Sequence, residues 1–327
     1  MNKNKSIIAK LGGQKFIVLL VVIALYIFFS ILSPDFRKYT TALTILDYSY
    51  YIVLMAIGVT FPLITGGVDL SIGTGLICYS LAGGYLILHM GWPTWAGILV
   101  AIGFGIVIGL VNGLLVSLMD LPPFLATLCT CMITRGLGSI CSNGFGISWP
   151  AAGAEGGWFR TIFKVTIGNT KYPIGFLWVF LLVLVMAFVL NHTKIGRYTI
   201  AIGSNKEAAI LSGINVKFYH TCAYVISGLF AGLAAVAYSA TFPTVQPGSG
   251  AGFELEAIGG AIIGGVSASG GVGSIVGSLI GVFVICLLKT GLPYIGLEAN
   301  WQQIITGLVL IGAVLVDIIK KRREAKL

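Results

Sequence analysis

Few side chains in this chain could do chemistry, and their spacing rules out most of it. His89, His192 and His220 lie far apart in sequence, and no His-x-x-x-His pair offers a metal two ligands on one helix face. The dipeptide Gly-Lys does not occur, so there is no G-x-x-x-x-G-K-[ST] loop to cradle phosphates. No Ser/His/Asp set is recognisable, and no catalytic or metal-ligating residue is assigned. Two features remain. Arg135 sits inside an apolar run, where an ionisable group is a functional candidate by default. Ser204 is followed three residues later by Glu207, the spacing of a capping box, and then by Ala208-Ala209-Ile210-Leu211 and Gly213. That pattern predicts a two-turn helix over 205–212, ended by Gly213.

The elements that hold these residues are membrane spans. Of the 327 residues, 57% are hydrophobic and 9% charged. A soluble domain is about 25% charged, so this chain cannot cover a water-facing surface. Spans of about 20 apolar residues are expected at 16–33, 46–65, 70–89, 95–118, 123–142, 173–191, 219–241, 256–269, 272–288 and 301–319. The first reads as a retained helix, since no small-residue cleavage site follows it. The eighth is short and Gly-rich and fits a broken or re-entrant segment. The fold class is all-α: a polytopic membrane protein with about ten transmembrane helices in one domain, 1–327.

Charge sets the orientation. Lys3, Lys5, Lys10 and Lys15, then Lys194, Arg197, Lys206 and Lys217, then Lys320, Lys321, Arg322, Arg323 and Lys326 fall on one side of ten spans. The positive-inside rule makes that side, and both termini, cytoplasmic. The net charge of +9 is therefore a topology signal rather than a nucleic-acid footprint. On this scheme residues 192–218 form a long cytoplasmic loop and 143–172 a long outer one. Asp69 and Asp120 fall at inside turns, and Glu254, Glu256 and Lys289 outside. No span carries a carboxylate at its centre, which argues against a proton-coupled carrier. The six cysteines, five of them in apolar runs, read as packing residues rather than disulfides; Cys141, near a membrane edge, is the one candidate for reactivity.

The 45 glycines sit within the apolar runs. Gly105, Gly109 and Gly113 are four apart, as are Gly228 and Gly232, and Gly277 and Gly281; this spacing lets helix backbones touch. ITGGVDLSIGTGLICYSLAG (64–83) aligns without gaps on IIGGVSASGGVGSIVGSLIG (262–281), which suggests an internal duplication.

Several stretches carry a resemblance. Arg197-Tyr198, GSNKEAAILSGINV (203–216) and AYVISGLFAGLA (223–234) resemble the cytoplasmic loop and following helix of sugar permeases from ABC importers, above all the ribose type. GGVDLSIG (66–73), GLVNGLLV (109–116), LPPFLATL (121–128) with Arg135-Gly136-Leu137, QPGSGAGFELEAIGGAIIGG (246–265) and GSIVGSLIG (273–281) are similar to that family in the same order. SASGGVG (267–273) departs from the ribose type at Ser269 and Val272, which leaves the sugar open.

The resemblance implies a bacterial inner-membrane permease subunit that moves a monosaccharide. A periplasmic sugar-binding protein would deliver the substrate, a second permease subunit would complete the pore, and a separate ATP-binding chain would hydrolyse ATP. No cofactor is expected on this chain and nucleic acid is not a partner. Ser204, Asn205, Lys206, Glu207, Ala208, Ala209, Leu211, Ser212 and Gly213 would form the ATPase-coupling loop, with Ile210 and Leu211 filling an apolar groove. A neutral sugar needs hydrogen-bonding side chains and ring faces, for which Asp69, Ser71, Asn112, Phe124, Thr127 and Gln246 are the candidates. The alternatives are a permease for another small polar solute, such as a nucleoside or a sugar-like signal, and a secondary carrier working alone.

Overall fold

The computed structural model describes residues 13–324. Lys3, Lys5, Lys10 and Lys326 lie outside them. Helix α1 spans Gln14–Leu32, α2 Tyr39–Ile64, α3 Ile72–Met90, α4 Thr94–Ser117 and α5 Pro123–Cys141. The outer segment holds a single turn, α6 (Trp158–Thr161), and a hairpin of β1 (Val165–Ile167) with β2 (Thr170–Tyr172). Then come α7 (Gly175–His192), α8 (Lys194–Ser204), α9 (Lys206–Leu211), α10 (Val216–Thr241), α11 (Phe253–Ile263), α12 (Ile275–Tyr294) and α13 (Ala299–Glu324). Eight of these among the described residues are long and apolar enough to cross a membrane, and α13 carries a shorter apolar stretch. The chain is a multi-pass, all-α membrane protein. Helix α11 is the expected short span. Its 11 residues rise about 16 Å at 1.5 Å each, roughly half of a hydrocarbon layer about 30 Å thick.

The centre of the bundle is α2, buried over nearly its whole inner length, with α10, α11 and α12 around it and α4 packed on α10. Glycine decides how close these helices come. A Cβ on Gly228 would meet the Gly105 carbonyl and lie 2.8 Å from the Gly109 Cα; one on Gly113 would lie 3.0 Å from the Thr221 Cα. So α4 and α10 run antiparallel with their backbones in contact along the face that the four-residue glycine spacing marks. The Gly277/Gly281 pair does the same between α12 and α11, against Gly264 and Gly260.

The outer segment forms a cap. Trp149 is buried, fits over Gly83 and Gly84, and donates its indole N–H to the Ser80 carbonyl at 3.0 Å. The Arg160 guanidinium donates to the carbonyls of Trp149, Pro150, Ala240 and Phe242, which ties the cap to the outer end of α10. Burial pulls the Arg160 pKa below its usual value.

The duplication suggested by sequence has a structural counterpart. Asp69 Oδ1 accepts from the Ser71 N–H at 3.0 Å, and the aligned Ser267 Oγ accepts from the Ser269 N–H at 3.3 Å. Both copies thus break their helix with the same side-chain turn two residues long.

Gly228→Val forces two backbones apart and should destabilise the protein by about 1–3 kcal/mol. Gly103→Val, where nothing lies within 4 Å, should leave the melting temperature in detergent unchanged. Equal melting of the two variants would show that the glycine contact is not what sets the spacing.

Candidate functional site

The loop expected on the cytoplasmic side, 192–218, folds as two short helices. Thr193 caps α8, its hydroxyl facing the Gly196 N–H, and Asn205 caps α9, its Oδ1 accepting from Ala208 N at 2.9 Å. The cap is one residue later than the Ser204/Glu207 spacing suggests. Helix α8 continues through Ser204, whose hydroxyl donates to the Ile200 carbonyl at 2.9 Å and so is not free to cap. Asn205 performs the role equally well. Gly213 ends α9 at φ +77, with its N–H on the Ile210 carbonyl and that of Ile214 on Ala209.

Burial divides α9 into two faces. Ala209 is 4% exposed and packs with Ile202, Val216, Ile214 and Tyr219 of its own chain. Leu211 is 89% exposed and Ile210 54%. Ser204, Asn205, Lys206, Glu207, Ala208, Ser212 and Gly213 are exposed as well. A groove of about 400 Å³ runs beside them, lined in part by Val116, Asp120, Lys206, Ile210, Lys217 and His220. Six residues cannot hold a helix in water by themselves, so Ala209 anchors α9 while its apolar end stays uncovered.

The pair is braced against the two Gly-rich turns. Gly203 packs directly on the Ile64 carbonyl at the end of α2, with no room for a side chain, and Gly271 donates to that same carbonyl at 2.8 Å. A Cβ on Gly271 would lie 3.1 Å from Ser204 Cα. One point therefore joins α8, the turn after α2 and the turn after α11.

From Ile64 the chain climbs back into the bundle. Asp69 Oδ2 accepts from Ser227 Oγ at 2.7 Å, and Ser227 lies beneath Gly58, six residues up α2 from its end. It also lies eleven residues into α10, roughly 16 Å from the cytoplasmic end. Asp69 is fully buried there, so the expectation that it sits at an inside turn is corrected. The span expected from residue 70 starts as a helix only at Ile72, at the same depth.

Four of the six proposed pathway residues meet at this level. Asp69 Oδ1 also accepts from Ser71 Oγ at 2.6 Å; Asn112 Nδ2 donates to Ser71 Oγ at 2.9 Å; Thr130 Oγ1 donates to Asn112 Oδ1 at 2.7 Å; Thr127 Oγ1 reaches the Val68 carbonyl at 3.1 Å. Asp69, Asn112 and Thr127 are each 0% exposed and Ser71 2%. Phe124 and Gln246 are elsewhere. Phe124 is 60% exposed on the outer face of α5, and Gln246 is exposed in the loop after α10, beside Gly146. Sequence reasoning missed Thr130 and Ser227. Thr130 lies three residues from Thr127 on one face of α5, a readable signal; Ser227 adjoins the Gly228 contact face.

Two further sets of charged groups stand apart from this network. Arg135 is exposed on α5 and lines a small cleft with Thr74, Thr134 and Gly250. Lys289 and Glu256, both expected outside, are paired between α12 and α11 at 2.7 and 2.9 Å. Of the cysteines, Cys78 and Cys286 are buried, Cys141 is half-buried and Cys129 is exposed.

The family model "Branched-chain amino acid transport system / permease component" matches residues 41–314. The chain is 34% identical to the ribose import permease protein of Escherichia coli, over 93% of this chain and 92% of that protein. It is 32% identical to the galactose/methyl galactoside import permease of the same organism over 99% of both chains. It is also 32% identical to the fructose import permease of Rhizobium meliloti, over 92% of this chain and 84% of that one. No solved structure matches.

Replacing Asp69 with Ala strips three hydrogen bonds and strands the Ser71 and Ser227 hydroxyls in a dry interior, where each bond to a charged group is worth about 1.5–3 kcal/mol. The melting temperature in detergent should fall markedly in Asp69→Ala and less in Ser227→Ala. A double-mutant cycle should then return a clear Asp69–Ser227 coupling; strictly additive losses would mean the two do not act together.

Proposed function

Since the chain belongs to the permease-component family of the branched-chain amino acid transport systems, and aligns over nearly its full length with import permeases for three sugars, we propose that it is the membrane subunit of an ATP-driven importer of a monosaccharide. It is a multi-pass protein of the inner membrane and a transport subunit rather than an enzyme. ATP is bound and hydrolysed on a separate cytoplasmic chain, a periplasmic sugar-binding protein delivers the substrate, and a second permease subunit completes the pore. This chain takes no cofactor.

The observation that carries this reading is Leu211. A leucine 89% exposed at the end of a capped helix, beside a groove of about 400 Å³, is a surface prepared for a partner. The ATP-binding chain covers Ile210 and Leu211, with Lys206 and Glu207 at the polar rim. The force path follows from the packing. Movement of α9 carries α8 through Asn205, and α8 bears on the Ile64 carbonyl through Gly203. That carbonyl also holds Gly271, so both Gly-rich turns move with the helix pair. The turns lead into α3 and α12, and their displacement opens one side of the membrane while closing the other.

In proteoliposomes containing the ATP-binding chain and the sugar-binding protein, Leu211→Asp should lower sugar uptake at least tenfold while leaving the permease folded. Ala209→Asp should instead unseat α9 and lower the melting temperature, because Ala209 packs on its own chain. Wild-type uptake in Leu211→Asp would remove α9 from the coupling surface.

A further inference from the structure

The residues that looked most able to bind a sugar are sealed against one another. A different set of polar side chains faces open space. The loop before α11, with α11, α12 and α13, lines an open chamber of about 580 Å³ in the outer half of the bundle, within the 300–1,000 Å³ range of small-molecule sites. Its walls carry Ser249, Glu256, Lys289, Gln302, Gln303 and Thr306.

The polar groups lie on one face of α13. Gln302, Gln303, Thr306, Gly307 and Leu310 face the chamber, following the spacing of neighbours on a helix. The opposite face carries Ile304, Leu308, Ile311 and Leu315, all more than half exposed. Gln302 and Gln303 stand at the start of α13 and turn their amides toward this space rather than toward the apolar face of the helix. There they can bond water or the hydroxyls of a ligand.

Charge selects the ligand class. The Lys289 ammonium has three hydrogens and three acceptors: Glu256 Oε1 at 2.7 Å, Glu256 Oε2 at 2.9 Å and Tyr51 Oη at 3.1 Å. It also lies over the rings of Tyr48 and Phe253, at 5.0 and 4.8 Å from their centroids. The cation is thus fully engaged and neutralised, and offers nothing to an anion. The carboxylate keeps lone pairs, and each glutamine provides both a donor and an acceptor. A wall of mixed donors and acceptors with no net charge suits a neutral molecule with many hydroxyls.

We infer that this chamber is a binding site for a neutral monosaccharide on its way through the permease, with Gln302 and Gln303 holding its hydroxyls and the Lys289–Glu256 pair keeping the wall polar but uncharged. This rests on the importer reading above. The test is uptake of radiolabelled ribose, galactose and fructose by the complete reconstituted transporter. The variants are Gln302→Leu/Gln303→Leu and Gln302→Asn/Gln303→Asn, matched for permease amount in the membrane. The leucine variant should cut uptake of the transported sugar at least tenfold. The asparagine variant should recover part of it and shift the ratio between sugars at least threefold. Uptake within twofold of wild type in the leucine variant overturns the chamber assignment alone. So does an equal loss for every sugar with no recovery in the asparagine variant, which is the mark of a structural defect. A wild-type transporter that takes up none of the three sugars defeats the monosaccharide reading, and the ligand class assigned here falls with it.

Discussion

A backbone that leaves its helix inside a bilayer has no water to bond with, so the protein must supply every partner itself. The segment from Thr65 to Ser71 is such a break, and Asp69 is what makes it stable. Its carboxyl takes one backbone N–H and two hydroxyls, an acceptor set matched to a group that only accepts when ionised. Through Ser71 it recruits Asn112 of α4, and through Ser227 it reaches α10. One side chain thus fixes the break to the two helices that glycine brings into backbone contact. Because Ile72 is set at this depth, α3 begins there, and the N-terminal end of α11 comes in beside it: Gly73 touches Glu254 and Gly250. Glu254 places its own carboxyl near those helix starts, where positive partial charge gathers.

A rigid centre is useful only if force can reach its edges. The Ile64 carbonyl provides that point, because it meets Gly203 of the cytoplasmic pair and Gly271 of the second turn at once. Neither glycine can accept a side chain there. The contact is backbone on backbone, and a push on α8 is not absorbed by rotamer changes. The two turns share the same side-chain bond at aligned positions, but only the first has a carboxyl. The second has Ser267, a hydroxyl in place of the carboxyl that ties the first turn to α4 and α10. The halves of the duplication are therefore unequal, with one turn locked deep in the bundle and the other held at the cytoplasmic junction.

Much of this was legible in the sequence. Apolar runs gave the spans, and four-residue glycine spacing gave the α4–α10 face, because each reflects a local rule. The two-turn helix was also readable from Gly213 and the Ala-Ala-Ile-Leu run, although its cap fell on Asn205. Depth was not readable. Whether Asp69 lies at a membrane edge or in the interior depends on the chain climbing back after Ile64, and nothing in GGVDLS states the direction. The Lys289–Glu256 pair was not readable for a related reason: the two lie on different helices, and only the fold brings them together. Ala209 and Leu211 look equivalent in sequence, yet a two-residue step around the helix buries one and exposes the other.

The sealed network and the open chamber divide the polar residues by role. A side chain whose bonds are all made to its own protein gains nothing from a passing solute, since binding would first have to break bonds in a dry interior. That removes Asp69, Asn112 and Thr127 from direct contact with a substrate in this state and makes them the fastening of the broken helix. Residues with unspent hydrogen-bonding capacity behave oppositely: Gln302 and Gln303 can exchange water for the hydroxyls of a ligand. On the proposed reading, a permease that must release its solute quickly needs such contacts to be few and weak. A shallow array of amides and hydroxyls, backed by an ion pair that has already satisfied itself, meets that requirement better than a free charge would.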